Sequence, residues 1–219
     1  MAKIAHASID EHGHISGGAA GDQTGKEVCI RSWYNKPWGF VIRFKDPELR
    51  EKVASCMEKA AKNDLIGYDQ SQRNTLLKKA RAYNYDVSKV KEKCETDCSA
   101  LVSVACMYAG IPESALTYNG NCATTRTLRP CLKATGEVEI YSTPIYTQKT
   151  LKLIRGDILL KEGSHVAVVV EADKKTDEQI AKEVNAGLWG DNPERKKQLE
   201  AAGYDYEKIR ALVNKMLKK

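Results

Sequence analysis

No uninterrupted apolar run among the 219 residues approaches the roughly 20 needed to cross a bilayer, which argues against membrane insertion. The N-terminal MAKIAHASIDEHGH carries no apolar core of the kind a secretory leader needs, so synthesis in a reducing cytoplasm is the expectation. The seven cysteines are an odd number and cannot complete a disulfide framework; free thiols are expected. Metal-ligand spacing is also lacking. His12-Gly-His14 has no accompanying set of ligands, and Cys94, Cys98, Cys122 and Cys131 match no usual zinc pattern, so neither metal nor cofactor is expected. AGDQTGKE (20–27) falls short of a phosphate-binding loop because Ala20 and Glu27 stand where the pattern needs glycine and a hydroxyl residue. The charge is mildly basic, 35 basic against 29 acidic side chains for a net +6, and spread along the chain. With no zinc-finger spacing and no aromatic-rich strand, nucleic acid is not the expected partner.

What is present suits a globular α+β protein, with 42% hydrophobic and 29% charged residues. The first 27 residues read as loop, followed by short strands around 28–33 and 39–44. DPELREKVASCMEKAAKND then carries helix signals: Asp46 as cap, Pro47 at the first position, and a stripe of Leu49, Val53, Cys56, Met57 and Ala60. A polar, helix-containing stretch spans 64–93, and an apolar helix runs from about Cys98 to Ala109, ended by Gly110-Ile111-Pro112. EVEIYS, RGDILL and SHVAVVVEA read as strands, the last two forming a hairpin through Lys161-Glu162-Gly163. The composition changes after Ala172. Residues 1–172 form one domain, 173–176 a charged linker, and 177–219 three short helices, the first opened by a Thr176–Gln179 capping box.

One cysteine is placed for chemistry. Cys98 opens the apolar helix, where free amide N–H groups and the helix dipole favour a thiolate, although Glu95 and Asp97 oppose it. Cys106 lies mid-helix among valines and alanine, and Cys56 lies on a packing stripe; both read as core. A thiol nucleophile needs a base, and His165, at the start of a buried strand, is the candidate.

Thr96-Asp97-Cys98-Ser99-Ala100-Leu101-Val102 resembles the D-C-S-x-L-V helix start of NlpC-type papain-like cysteine peptidases. Gly156-Asp157-Ile158-Leu159 and Ser164-His165-Val166-Ala167-Val168-Val169 resemble their G-D-[LI]-[LV] and H-V-x-[IV] strands, and Ile66-Gly67-Tyr68 resembles the upstream tyrosine segment. With GDQTGKEV and GYDQSQRN, residues 7–172 are most similar to phage endolysins that act as peptidoglycan amidohydrolases. The tail, IAKEVNAGLWGDNPERKKQLEAAGYDYEKIRALVNKML, resembles the cell-wall-binding repeat of the pneumococcal phage lysozyme type, with Asp191-Asn192-Pro193 where Asn-Gly is more usual.

These resemblances imply a papain-like catalytic domain, its nucleophile helix packed on an antiparallel sheet, joined to a small three-helix bundle. They imply Cys98 attacking a peptidoglycan amide, either within the stem peptide or between muramic acid and L-alanine, with His165 moving the proton. The Tyr68 hydroxyl and the Cys98 N–H would face the oxyanion, and Ser99 would lie on the substrate side. In the repeat, Trp189, Asp191 and Arg195 are the expected muropeptide contacts. The enzyme would wait in the host cytoplasm until the membrane opens, and its positive charge would suit anionic wall polymers. Competing readings are a non-catalytic wall-binding protein and a papain-like acyltransferase or deamidase acting on proteins.

One part is missing from the pattern. The family orients its histidine with a third polar residue on a neighbouring strand. Glu171 lies six residues along the same strand, about 20 Å away at 3.3 Å per residue. Asp69, beside Tyr68, is the expected substitute. Cys94, four residues before Cys98, offers a possible disulfide off-switch.

Overall fold

The computed structural model describes residues 1–217; the last two residues of the expected third helical segment lie outside the described residues. The chain divides into two compact units, Met1–Asp173 and Lys174–Lys219. In chain order the first contains β1 (Lys3–Ala7), β2 (Val28–Ser32), β3 (Phe40–Phe44), α1 (Pro47–Ala60), β4 (Ile66–Tyr68), α2 (Thr75–Ala80), β5 (Cys94–Thr96) and α3 (Cys98–Ala109). It continues with α4 (Glu113–Leu116), β6 (Thr117–Tyr118), β7 (Asn121–Cys122), α5 (Leu128–Ala134), β8 (Val138–Tyr141), α6 (Pro144–Thr147), β9 (Ile158–Lys161) and β10 (His165–Glu171). The class is mixed α+β. Among the described residues no helix is long and apolar enough to cross a membrane.

The main sheet has six strands in the order β2-β1-β10-β9-β3-β8, with every neighbouring pair antiparallel. β10 is buried from His165 to Val170 because both its faces are covered, which explains the unbroken run HVAVVV. Its side chains alternate. Val166, Val168 and Val170 join the core that includes α1 and α3, while Ala167 and Val169 pack with Ile4, Trp38, Val41 and Leu159 on the opposite face.

α1 starts as its sequence dictates. The Asp46 carboxylate accepts the Glu48 N–H, Pro47 takes the first turn, and Val53, Cys56, Met57 and Ala60 are buried. α3 is the central helix. All of its residues except Tyr108 are buried, so it is enclosed on every side, and its two serines, Ser99 and Ser103, are satisfied by hydrogen bonds. Each fully buried Leu or Val there contributes about 1.5–3 kcal/mol. Gly156, with φ of +87°, lies against α1 so closely that a Cβ would come 2.4 Å from the Arg50 carbonyl oxygen. Next to it the fully buried Asp157 takes two hydrogen bonds from Arg43, both 2.7 Å, tying β9 to β3. The G-D-I-L segment is thus a packing device.

One sequence expectation is corrected. The first residues are not all loop, because Lys3–Ala7 forms β1, inserted between the edge strand β2 and β10. The stretch was too short to show a period, and burial on the sheet overrides its weak strand propensity.

The second unit contains α7 (Asp177–Asn185), α8 (Glu194–Ala201) and α9 (Tyr206–Leu217). Thr176 and Gln179 form the expected reciprocal capping box at α7. Ile180, Ala181, Val184, Leu199 and Ile209 make the small core of these helices.

Candidate active site

The position of Cys98 is set by a helix cap. Asp97, extended at the N-cap of α3, accepts the Ala100 N–H at 2.7 Å. That leaves Cys98 in the first helical turn, 6% exposed. Arg73 holds the cap. Its guanidinium donates to both Asp97 oxygens at 2.6 and 3.2 Å, to the Ser99 hydroxyl at 2.9 Å, and to the carbonyls of Cys122 and Ala123 at 2.9 and 2.8 Å. Ser99 is buried and its hydroxyl also donates to Asp97, so it belongs to the cap network instead of the expected substrate side.

Burial pushes the Cys98 thiol up to about 12, with the Asp97 charge adding to the rise. The N–H groups of Val166 and Ser99 and the Arg73 charge pull the other way without overcoming it. The first-turn position alone therefore does not produce a resting thiolate. The Val166 N–H that reaches the sulfur belongs to the residue after His165, which puts Cys98 at the start of β10. No hydrogen bond joins the thiol to the His165 ring among the described residues.

His165 meets a partner that the sequence reading missed. Nδ1 of His6 and Nε2 of His165 are 2.8 Å apart, with both side chains buried. Sheet register explains the encounter. Ile4 pairs with Val169 and Ala5 with Val168, so His6, His165 and Val169 share one face, with His6 and His165 diagonal neighbours across β1 and β10. Trp38 stacks against His165 at 6.0 Å between ring centroids, and Tyr34 lies 6.2 Å from His6. Burial, then the charges of Arg31 and Lys36, lower His6 to about 4. Burial, then His6 and Lys36, lower His165 to about 3. Both rings are neutral at pH 7.

The 2.8 Å contact joins two neutral rings, so one of the two nitrogens donates and the other accepts. If the His165 Nε2–H donates to His6 Nδ1, then His165 Nδ1 has its lone pair free to accept a proton. His6 Nε2 then bears the hydrogen, and this atom is fully enclosed with no protein partner among the described residues.

Asp69 does not take the expected place beside His165. Burial opposes its charge, but the Ser71 hydroxyl and the N–H groups of Gly17, Ser71 and Gln72 hold its carboxyl below the usual range. It is a turn-closing carboxylate. Glu171 bonds Lys3 at the far end of β10. Tyr68 sits near the thiol because β4 and β5 pair in parallel, setting Tyr68 opposite Thr96, two residues before Cys98. Burial, then the neighbouring thiol, raise the Tyr68 hydroxyl well above its ordinary value, so it stays a proton donor.

The glycine-rich segment is also structural. Asp22 accepts five backbone N–H groups, those of Thr24, Gly25, Lys26, Glu27 and Val28, filling with its own carboxylate the amides a phosphate would need. Glu27 then accepts the Tyr68 N–H at 2.9 Å. Gly67 lets this segment lie flat on β4, since a Cβ there would come 2.6 Å from the Gly21 carbonyl. Beside it Glu95 accepts the Gly21 N–H at 2.7 Å, and its other oxygen is buried without a partner among the described residues. Cys94 is reduced and buried on β5, with Glu95, Lys79 and Glu92 around it, whereas Cys98 faces Val166, Asp97 and Arg73.

In the second unit Trp189 is half-buried, its Nε1 donating to Glu183 at 3.2 Å and its ring edge-on to Tyr204. Asp191 is fully exposed, and Arg195 donates to Asp191 and to the Gly190 carbonyl. Arg195, Asn192, Tyr206 and Arg210 border a pocket of about 250 Å³ floored by Val184 and Ile209.

Three features of the site were missed by the sequence reading: His6, Arg73 and the Tyr34–Trp38 wall. The one local signal for His6 was its place in the short apolar run Ile4-Ala5-His6-Ala7, which does not by itself reveal the pairing with His165. Comparison with known families gives two matches, one in each part of the chain. The model described as endolysin-like domain matches residues 4–176, and that described as CW_7 repeat matches residues 178–217. Neither a curated protein nor a solved structure matches the chain.

Proposed function

The chain belongs to the endolysin-like domain family, and we propose that it hydrolyses an amide bond of peptidoglycan through a Cys98 thiol, with the papain-like geometry of the NlpC peptidases. The observation that carries this reading is the buried His6–His165 hydrogen bond on the strand whose next N–H meets the Cys98 sulfur.

The resting pair is a neutral thiol and a neutral imidazole. As Cys98 Sγ attacks the scissile carbonyl carbon, its proton passes to Nδ1 of His165, and the carbonyl oxygen becomes an oxyanion. The Cys98 N–H and the Tyr68 hydroxyl are the donors for that oxygen; removing one such donor costs about 2.7–4 kcal/mol of transition-state stabilisation. The imidazolium then protonates the leaving amine, leaving a thioester. Water, deprotonated by His165, attacks the thioester carbonyl and releases the carboxylate and the thiol. His6 accepts from Nε2–H throughout and keeps the ring from turning.

The CW_7 match supports wall binding by residues 178–217. Trp189, Asp191 and Arg195, with the pocket beside them, are the surfaces we assign to a muropeptide. Action on the wall after release from the host cytoplasm fits this pairing.

Digestion of purified peptidoglycan by wild type and Cys98→Ala, read by mass spectrometry, tests the proposal. Wild type releases new amino groups and the variant none. A free L-alanine amine marks the muramoyl amidase; a cut further along the stem marks an endopeptidase. Undiminished release by Cys98→Ala would end the thiol mechanism, and wall binding without release by wild type would leave a binding protein.

A further inference from the structure

The His6 side of the site carries positive charge that the reaction sequence above does not use. β2 pairs with β1 so that Arg31 stands opposite Ile4 and Cys29 opposite His6, which puts Arg31 on the same sheet face as His6. The Arg31 guanidinium lies 4.9 Å from the Tyr34 ring centroid. Tyr34 is 6.2 Å from His6 and 5.8 Å from Trp38, and Trp38 in turn stacks on His165. Lys36 sits in the short connection between these two aromatics, which the Trp38 Nε1–H closes by donating to the Tyr34 carbonyl at 3.0 Å. The two cations are therefore held around one aromatic wall leading to the histidine pair. Neither has an ion-pair partner among the described residues; Arg31 is exposed and Lys36 half-exposed.

Their placement is unfavourable for the chemistry unless something neutralises them. His165 must become an imidazolium during attack, and uncompensated positive charge nearby resists that. Both cations already disfavour protonation of His6, and Lys36 disfavours that of His165. An anion brought by the substrate resolves the conflict, and the peptide stem of peptidoglycan can carry free carboxylates close to its amide bonds.

Resting on the hydrolase reading above, we propose that Arg31 and Lys36 form a subsite that reads a free carboxylate of the stem peptide beside the scissile amide. The enzyme then prefers stems bearing the free acid to the same stems with a carboxamide there. A planar guanidinium on an aromatic ring suits two-point recognition of a carboxylate, and the ammonium supplies a second charge.

The test uses the full chain and two synthetic muramoyl pentapeptides that differ only in a carboxylate or carboxamide on the second stem residue. The expected wild-type ratio of kcat/KM, acid over amide, is about tenfold or more, the scale of one charge-assisted contact, and it falls as salt rises. Arg31→Gln and Lys36→Gln each lower the ratio and the double variant brings it to about one, while Arg31→Lys with Lys36→Arg retains most of it. Both positions are at the surface, so these variants keep the core intact. Equal wild-type rates on the two substrates, or an undiminished ratio in the double variant, would overturn the subsite. Cleavage of neither substrate, with no release from whole peptidoglycan, would instead overturn the hydrolase reading on which it rests.

Discussion

Replacing His6 by alanine separates a positioning role from mere packing. The ring is 2% exposed and its Nδ1 is 2.8 Å from His165 Nε2. Truncation removes one neutral hydrogen bond and leaves the His165 N–H enclosed without an acceptor, a penalty of about 1–3 kcal/mol. It also frees the imidazole to turn away from the thiol. Together these cost about 2–3 kcal/mol of transition-state stabilisation, roughly a 30- to 150-fold loss in kcat. A second readout discriminates further. His165 is held at about 3 by burial and then by His6, so the acid limb of kcat/KM in wild type lies far below 6.5. Falling pH protonates His165 and removes the base; without His6 the site hydrates, its proton affinity rises, and the acid limb moves upward. His6→Gln, whose amide oxygen can accept from Nε2–H, recovers part of the rate. The assay is muropeptide turnover from pH 4 to 8 on variants that unfold cooperatively. A folded His6→Ala enzyme within threefold of wild type, with an unmoved acid limb, would refute the positioning role.

Arg73→Leu is expected to lose about 3–5 kcal/mol of stability by leaving Asp97 buried without its cation, and Arg73→Lys recovers little because an ammonium cannot replace the fork. Urea unfolding measures it, and a loss under 1 kcal/mol would show that the cap stands alone. Burial holds the Glu95 carboxyl up at about 7, above its unfolded value of 4.5, so its contribution is complete below 4.5 and lost as pH rises through 7. Glu95→Gln, which keeps an acceptor for Gly21, should thus gain about 2 kcal/mol on wild type between pH 5 and pH 8; a pH-independent difference would count against the buried carboxylate. Cys106→Ala should leave turnover intact while losing stability, since the fully buried thiol packs beside Cys56 and touches nothing in the site. A large drop in kcat at unchanged stability would contradict that separation.

Helices α1, α3 and α7 were legible because their ends are local; the short α4, α5 and α6, which form no side-chain cap, were not. Asp46-Pro47, Asp97-Cys98, the Thr176–Gln179 box and Gly110 each act within a few residues, and the caps form where the sequence puts them. The hairpin of β9 and β10 was legible for the same reason. β1 was not, because five residues carry little periodicity and what fixes them as a strand is pairing with residues more than 160 positions away. The site divides along the same line. Cys98 and His165 announce themselves through helix start and strand start. His6 and Arg73 acquire meaning only through long-range contacts, to β10 and to the α3 cap. Asp69 shows why its assignment was out of reach: its carboxylate is taken by the N–H groups of Ser71 and Gln72 and the Ser71 hydroxyl in its own turn, and by the N–H of Gly17 from 52 positions away.

The position of β1 also accounts for how two units can follow each other so closely. A histidine at the start of β10 needs a neighbouring strand to supply its third partner. Were that strand to follow β10 in sequence, it would occupy residues after Glu171, where the first unit gives way to the second at Asp173 and Lys174. Drawing the neighbour from Lys3–Ala7 completes the sheet and the histidine pair, and lets β10 be the last strand. The chain can then leave the sheet at once and cap α7 at Thr176. In the proposed hydrolysis the cost falls on chemistry: a neutral imidazole in place of a carboxylate would orient His165 without stabilising its charge. In that reaction the imidazolium would be met by a substrate anion, which Arg31, seated on the Tyr34 ring, and Lys36, in the Tyr34–Trp38 connection, would hold in place.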